Sequence, residues 1–388
     1  MEPVFTRAFL LLIGGQFLQN LAFATLPLVP LLLAMQGASR SEIGFVMAIA
    51  GVGGVLFRPL VGWALDTLGR RIVLYIATAA AALTVATVGV AGGVGWPLYV
   101  NRFVFGIALG ALATAYFTMA TDHAPRSRRT EALALFGVAG LLGLVINPVA
   151  SALGIEGEAL VWFFPVVGGI VLLSLLPVLA MPRGGEPSSP SSAPQGSAPA
   201  WRALVTPSIL PVWWVSVAFA AMLSAVLFFS VVVAENRGLE RPADLWFTYA
   251  LGAVVVRLAG ARLPDRLGAH NVIAPALACY ALGCLVFATA ATPQSFLMGG
   301  LLAGLGHGYA FPVLVSAALG RAPDHLRGST IAAFTALLEM AGFCMSPILG
   351  WVADTYDDAV MFGLAAVVGC AGLAVWALWE HKAQRRAP

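Results

Sequence analysis

Long apolar stretches separated by short polar breaks make up most of this chain. A helix that crosses the hydrocarbon core of a bilayer needs about 20 mostly apolar residues. The pattern predicts twelve such spans in two sets of six. The first set lies near residues 8–35, 42–64, 72–93, 97–120, 131–153 and 159–181, and the second near 207–234, 244–263, 272–291, 294–319, 329–352 and 360–380.

The composition supports a membrane protein built of helices. Of the 388 residues, 60% are hydrophobic and 10% are charged, whereas about a quarter of the residues in soluble domains are charged. Spanning β-strands alternate apolar and polar residues over about ten positions, but runs such as Ile72–Gly93 are apolar on every face. The expected fold class is therefore an all-α polytopic membrane protein.

The two sets of spans are separated by a stretch of different composition. Residues 183–200 contain five Ser, four Pro and three Gly, which bury too little surface to become ordered. The predicted organisation is a six-helix bundle over residues 1–182, a flexible cytoplasmic linker over 183–203 and a second six-helix bundle over 204–388.

The arginines and the single lysine orient the chain. With the N-terminus in the cytoplasm, fifteen of them fall in cytoplasmic segments and three fall outside. Cytoplasmic loops carry the excess of Lys and Arg, so we expect both termini to be cytoplasmic, in a multi-pass protein of the inner membrane.

The two halves repeat each other at an offset of about 199 residues. The recurring pairs include Arg58 and Arg257, Asp66 and Asp265, Gly69 and Gly268, and Pro148 and Pro347. Two six-helix halves that both begin in the cytoplasm are parallel repeats, an organisation that transporters use to expose a central site to one side at a time.

The loop after the second span reads GWALDTLGRR over residues 62–71. Asp66 ends one helix, Gly69 permits a tight reversal, and two arginines follow. This loop resembles the signature loop of the major facilitator superfamily (MFS), and the resemblance covers the chain outside the linker. It implies the MFS fold, with 12 transmembrane helices in two pseudo-symmetric six-helix bundles.

The resemblance also implies a latch on the cytoplasmic side. Its residues here would be Gly62, Asp66, Gly69, Arg70 and Arg71, with Asp265 in the second copy. The second copy lacks the paired arginines, so an asymmetric latch is expected. The alternative is that these arginines only enforce the topology.

Two further motifs lie inside spans. Arg102, with Gly106 and Gly110, resembles a family motif whose arginine is tied to proton coupling, although Arg102 could instead extend to the membrane interface. Asn147 precedes Pro148 where the antiporter motif of the family expects glycine, which leaves the direction of transport open. Contact with substrate and helix packing are both open roles for Asn147.

Two ionisable residues lie deepest in the predicted spans. Glu339 is about 15 Å from the end of its span, and His307 is also near the midplane, where an ionised group costs about 2.5 to 3.5 kcal/mol. Burial favours the protonated carboxyl, so Glu339 is the expected proton carrier, with His307 as its helper. The alternatives are an ion pair with an arginine for Glu339 and an interhelical hydrogen bond for His307.

Polar and aromatic residues on helices that line the cavity of the family complete the expected site. They are Gln16, Asn20, Arg58, Tyr116, Asn147, Trp213, Tyr249, Arg257, Tyr309 and Phe311.

These observations favour a secondary active transporter that resembles bacterial drug and metallophore exporters. We expect proton-coupled efflux by alternating access, with proton-linked or facilitated uptake of a sugar or organic acid as the alternative. Three arginines lie within the spans (Arg58, Arg102 and Arg257), but only one acid, Glu339, lies deep in a span. This excess of positive charge favours a neutral, zwitterionic or anionic amphipathic substrate. A non-transporting sensor or a membrane enzyme is disfavoured, because no added domain or acid–histidine cluster is visible.

The expected partners are a small-molecule substrate, protons and the lipid bilayer. We expect a monomer that binds no nucleic acid, metal or cofactor. The four cysteines lack the spacing of a metal site, and no phosphate-binding loop indicates ATP.

Overall fold

A computed structural model of the chain describes residues 5–124, 129–155, 158–181, 205–259, 263–323 and 326–386. These residues form helices joined by short connections, with no strand among them. In the N-terminal half the helices are α1 (Arg7–Ala24), α2 (Leu28–Met35), α3 (Arg40–Leu56), α4 (Arg58–Thr67), α5 (Arg70–Thr87), α6 (Trp96–His123), α7 (Arg129–Leu142), α8 (Ile146–Ala152), α9 (Ala159–Leu173) and α10 (Leu175–Leu179).

The C-terminal half contains fewer and longer helices. They are α11 (Leu210–Asn236), α12 (Leu245–Ala259), α13 (Leu263–Leu267), α14 (Ala269–Thr289), α15 (Pro293–Arg321), α16 (Arg327–Thr355) and α17 (Asp358–Arg386). The predicted linker at 183–203 lies outside the described residues, so the domain bounds remain a prediction.

Each of the twelve predicted spans corresponds to one helix or to consecutive helices. In the described residues, nine helical segments are long and apolar enough to cross a membrane, and a tenth is the pair α3 and α4, bent by 44°. The other two spans are the shorter helical stretch at Phe136–Ala152 and the 15-residue helix α12.

Prolines account for several interruptions of the helices. Pro27 separates α1 from α2, and Pro59 follows the break between α3 and α4. Pro148 follows a 3-10 turn at Gly143–Val145, whereas Pro312 and Pro347 lie inside continuous helices. Proline lacks the N–H that a helix needs at each interior position, so each of these sites leaves a carbonyl to be satisfied in another way.

The chain forms two compact units. The first comprises Met1–Ala38 and Val46–Ser191, and the second comprises Ser39–Phe45 and Ser192–Pro388. In the first unit α5 packs against α6 and α9, and α1 packs against α9. In the second unit α15 packs against α12 and α14, while α11 packs against α16 and α17.

The same glycine contact recurs in each unit. A side chain at Gly106 of α6 would overlap the carbonyl oxygen of Ala50, and one at Gly304 of α15 would overlap that of Tyr249. Ala50 and Tyr249 are 199 residues apart, and Gly106 and Gly304 are 198 apart. Close helix approach through small residues therefore follows the sequence repeat.

The short segment Ser39–Phe45 is held within the second unit by polar contacts. Asp354 accepts hydrogen bonds from the backbone N–H of Arg40 at 2.9 Å, and from the N–H and hydroxyl of Ser41 at 2.8 and 2.6 Å. Arg40 also pairs with Asp358 at 3.2 Å. The carboxylate of Asp354 thus satisfies two N–H groups at the start of α3 that have no partner within the helix.

Candidate functional site

The expected site residues fall in both units, and each unit holds a different kind of polar cluster. In the first unit, amide side chains lie along α1. The amide of Gln19 donates to the Oε1 of Gln16 at 2.9 Å, and the amide of Asn20 donates to the carbonyl oxygen of Gly140 on α7. Gly140 and Gly143 leave space for these amides beside α7. The cluster is polar but uncharged.

Asn147 adds a buried amide on α8. Its Nδ2 donates to the carbonyl oxygen of Leu144 at 3.1 Å, which is the carbonyl that Pro148 cannot satisfy. The Oδ1 of Asn147 is buried and has no hydrogen-bond partner among the described residues. The Oε1 of Gln19 is in the same state, so this unit contains two buried acceptors that are free to bind a donor.

Arg102 is enclosed by protein and is only 1% exposed. Its Nε and Nη2 donate to the Oδ1 of Asn101 at 2.9 and 2.6 Å, and Nη2 also reaches the carbonyl oxygen of Thr84 on α5 at 3.4 Å. The guanidinium lies over the ring of Phe105 at 4.5 Å. Arg102 thus joins α6 to α5 inside the first unit, rather than extending to a surface.

Tyr116 is fully buried where α6 meets α1. Its hydroxyl donates to the carbonyl oxygen of Ser174 at 3.5 Å, and its ring lies so close to Gly15 that an added Cβ would contact it. Arg58, also in the first unit, is half-buried at the start of α4, directly after the break at Phe57.

The signature loop makes its polar contacts at one end of the first unit. Gly69 has a φ of +89°, a conformation that favours glycine. Arg70 forms an ion pair with Asp122 at the end of α6, and Arg71 donates from both Nη atoms to the carbonyl oxygen of Met181 at 3.4 Å. The loop therefore ties α5 to two neighbouring segments, while Asp66 is exposed and Gly62 is half-buried.

The second unit contains a polar cluster that includes charge. The hydroxyl of Tyr249 on α12 is hydrogen-bonded to the Nδ1 of His307 on α15. The ring of His307 packs edge-on against Tyr249 and Phe219, with centroid distances of 5.6 and 5.7 Å. Arg257 of α12 donates from Nε to the carbonyl oxygen of Gly308 at 3.3 Å. The interhelical hydrogen bond expected as one role of His307 is therefore present.

Glu339 lies near the middle of the 29-residue helix α16 and is half-buried. On the same helix Phe334 contacts two of the expected aromatic residues, Trp213 at 6.3 Å and Phe311 at 5.5 Å between ring centroids. Tyr309 is half-buried on α15. Asp265 lies in α13, but its side chain lies outside the described part of the structure.

Within the described ranges, no three His, Cys, Asp or Glu side chains come together as a group that could hold a metal ion. The amide cluster of the first unit can bind hydrogen-bonding groups, and the second unit combines an imidazole, a phenol and a guanidinium. This chemistry suits recognition of an organic molecule.

Comparison with known proteins identifies the family. The sequence matches the family profile described as Major Facilitator Superfamily over residues 11–344 and again over 243–388. The chain belongs to this superfamily. An uncharacterized MFS-type transporter of Yersinia pestis is similar to it, with 25% identity over 359 residues that cover 88% of each chain.

Solved structures of MFS transporters share the fold. A point mutant of the nucleoside transporter NupG aligns with a TM-score of 0.80 and 15% identity over 96% of this chain and 99% of its own. The human organic anion transporter MFSD10 aligns with a TM-score of 0.69 and 18% identity over 97% of this chain and 100% of its own. The predicted twelve-helix MFS fold is confirmed, and the chain is a multi-pass membrane protein.

Five residues of this MFS protein contact the expected site residues, or occupy a position equivalent to one of them, but were absent from the sequence-based predictions. They are Gln19, Asn101, Asp122, Tyr280 and Ser346. Gln19 could have been found because it is a polar residue one helical turn from Gln16, and Asn101 because it is a polar residue directly before Arg102. Ser346 was also detectable, because it precedes Pro347 as Asn147 precedes Pro148. Nothing in the sequence marks Asp122 as the partner of Arg70, or Tyr280 as a neighbour of Tyr249.

Proposed function

We propose that this MFS protein exports a small amphipathic molecule in exchange for protons. The substrate is neutral, zwitterionic or anionic, the protein lies in the inner membrane with both termini cytoplasmic, and the cycle follows alternating access. The family supports membrane transport of a small molecule. Direction, coupling and substrate class rest on particular residues of the chain.

The observation that carries the proposal is the position of Glu339. Among the acidic residues in the described helices long enough to span a membrane, it is the one near a helix centre, whereas Asp122, Asp354 and Glu380 lie at the ends of their spans. An ionised carboxyl is costly at membrane depth, and such groups in transporters mark proton pathways. In the proposed cycle the half-buried side chain exchanges a proton with an aqueous or substrate-filled space.

The proposal assigns roles to three further sets of residues. His307 assists Glu339 as a second group that can accept or donate a proton. Arg102 serves coupling as a positioning residue, because its guanidinium links α6 to the end of α5. The signature loop contributes to the cytoplasmic latch through Arg70 and Arg71, which tie α5 to neighbouring segments.

The charge balance supports the substrate class. The spans contain Arg58, Arg102 and Arg257 against one central acid, Glu339, and this excess of positive charge disfavours a lipophilic cation. The names of NupG and MFSD10 describe transporters of nucleosides and of organic anions, which are small organic solutes of the proposed kind.

The test compares Glu339→Gln with Glu240→Gln in proteoliposomes. A thermal-shift screen against drugs, sugars, amino-acid derivatives and metal chelators supplies the substrate, and an internal pH dye reports proton movement. Glu339→Gln should abolish transport driven by a pH gradient and leave substrate exchange partly intact. Glu240 is exposed in a connection between helices, so Glu240→Gln removes the same charge and should leave both activities unchanged.

Intact proton coupling in Glu339→Gln would remove this residue from the mechanism. The sign of the substrate-driven pH change separates the two directions. Movement of protons against the substrate indicates efflux by exchange, and movement together with the substrate indicates the alternative, proton-linked uptake.

A further inference from the structure

Arg257 is a cation without an acidic partner among the described residues. It lies near the end of α12 and is half-buried, and the ion pairs found in the described part of the chain involve other residues. A charged side chain held away from water normally has an opposite charge or several acceptors. In Arg257 that requirement is only partly met by protein.

Its single hydrogen bond repairs a backbone defect. Pro312 lies inside α15 and cannot donate to the carbonyl oxygen of Gly308, four residues earlier. The Nε of Arg257 donates to that oxygen at 3.3 Å, which fixes the base of the guanidinium against α15. A guanidinium has five N–H donors, so the four on the Nη atoms have no protein acceptor in the described structure.

His307 lies next to this guanidinium. It precedes Gly308 in the chain, and the carbonyl oxygen of Gly308 accepts the hydrogen bond from Arg257. Its Nδ1 is engaged by the hydroxyl of Tyr249, and its ring is confined by Phe219 and Tyr249. When the tyrosine hydroxyl donates to Nδ1, the proton of the neutral imidazole resides on Nε2. That atom is then a second donor, on the residue that precedes the one bound by Arg257.

We infer that Arg257 and His307 form an anion subsite for the acidic group of the substrate. The guanidinium binds a carboxylate or a similar planar anion through its Nη atoms, the geometry for which arginine is suited, and the Nε2–H of His307 adds a donor. Tyr249 and the Gly308 carbonyl hold the two groups in place. The subsite rests on the proposed function and narrows its substrate to a small amphipathic organic anion.

The test measures equilibrium binding of acid and ester pairs to the purified, full-length protein in detergent. The probes are dansylglycine and 2-naphthoxyacetate with their methyl esters, which keep the ring system and remove the negative charge. Wild type should bind each acid about tenfold more tightly than its ester, the scale of one charge-assisted hydrogen-bonded contact. Arg257→Gln should reduce this preference to less than about twofold without weakening ester binding.

A second variant separates recognition from the repair of the helix. Pro312→Ala restores a backbone N–H for the Gly308 carbonyl, so Pro312→Ala alone should keep the acid preference. The double variant Arg257→Gln/Pro312→Ala should regain thermal stability and still lack the preference for acids over esters.

The other two residues of the subsite are tested in the same way. His307→Gln should lower the acid preference about threefold. Tyr249→Phe should also lower the acid preference while ester binding is unchanged.

Two outcomes would overturn the subsite. One is equal binding of acids and esters by wild type, and the other is a double variant that regains the acid preference together with its stability. The result is independent of the coupling test, because no gradient is applied. If Arg257→Gln loses the acid preference and Glu339→Gln keeps proton coupling, the subsite stands and Glu339 is rejected as proton carrier. If Arg257→Gln keeps the acid preference and Glu339→Gln loses proton coupling, the subsite is rejected and Glu339 stands.

Discussion

Two equivalent prolines, 199 residues apart, show how the duplicated halves have diverged. Pro148 and Pro347 each leave a carbonyl four residues earlier without its helical donor. In both halves the residue before the proline supplies the missing donor. Asn147 reaches the carbonyl oxygen of Leu144 at 3.1 Å, and Ser346 reaches that of Phe343 at 2.6 Å.

The two repairs differ in what remains unused. The hydroxyl of Ser346 also lies 2.7 Å from the carbonyl oxygen of Gly44, and an added side chain at Gly44 would overlap the backbone of Ser346. The amide of Asn147 leaves its Oδ1 buried and without a partner in the described structure. One half therefore uses the position for close packing, and the other keeps an acceptor for hydrogen bonding. Exchange of the two residue types should therefore lower stability much more at Ser346 than at Asn147.

Ser346→Asn should have the largest effect. Ser346 is fully buried against Gly44, and the added atoms have no space. Overpacking costs typically 1–3 kcal/mol, and we expect a loss of about 3 kcal/mol in the free energy of unfolding. Denaturant unfolding in detergent measures it. A stability equal to that of wild type would show that this contact is not tightly packed.

Asn147→Leu should have the next largest effect. It keeps a similar volume but removes the side-chain donor to the carbonyl of Leu144, and an unpaired buried group costs about 1–3 kcal/mol. We expect the free energy of unfolding to fall by about 2 kcal/mol in the same assay. A change below about 0.5 kcal/mol would mean that the carbonyl is satisfied in another way.

A double-mutant cycle sharpens this explanation. Pro148→Ala restores a backbone N–H for the Leu144 carbonyl, so Asn147→Leu should cost about 1 kcal/mol less in the Pro148→Ala background than in wild type. The four unfolding free energies give the coupling directly. If the two changes in unfolding free energy simply add in the double variant, Asn147 does not compensate for the missing N–H of Pro148.

Asn147→Ser should have the smallest effect on stability and a clear effect on ligand. The serine keeps the donor, as in the other half, and replaces the amide Oδ1 acceptor with a hydroxyl oxygen that lies closer to the backbone. We expect unfolding within about 1 kcal/mol of wild type and roughly threefold weaker binding of the ligand found by the screen, the loss expected of one neutral hydrogen bond. If this variant binds the ligand as tightly as wild type, Asn147 supports the helix and does not bind the ligand.

Much of the fold could be predicted from the sequence because its causes are local. The apolar length of each segment determines that it can span a bilayer, and the offset of 199 residues reveals the repeat. Gly69 and Gly268 were recognisable as a repeated pair, and both have positive φ values, of +89° and +83°. Proline positions likewise marked where helices need help from side chains.

The candidate site was predictable only in part. Glu339 and His307 stand out because ionisable residues are rare in apolar spans. The burial of Arg102 and the use of Arg257 as a donor to Gly308 are not visible in either segment alone. They depend on which faces of two helices meet.

The amino-acid order is enough to assign the class of protein, the number of spans and the residues that are chemically unusual in a membrane. The partners of those residues, such as Asp122 for Arg70 and Tyr249 for His307, are known only from the folded chain. The physical reason is that hydropathy and backbone defects are properties of one segment, whereas a hydrogen bond needs two atoms within about 3 Å. That distance is set by the rotation and packing of helices that lie far apart in the chain.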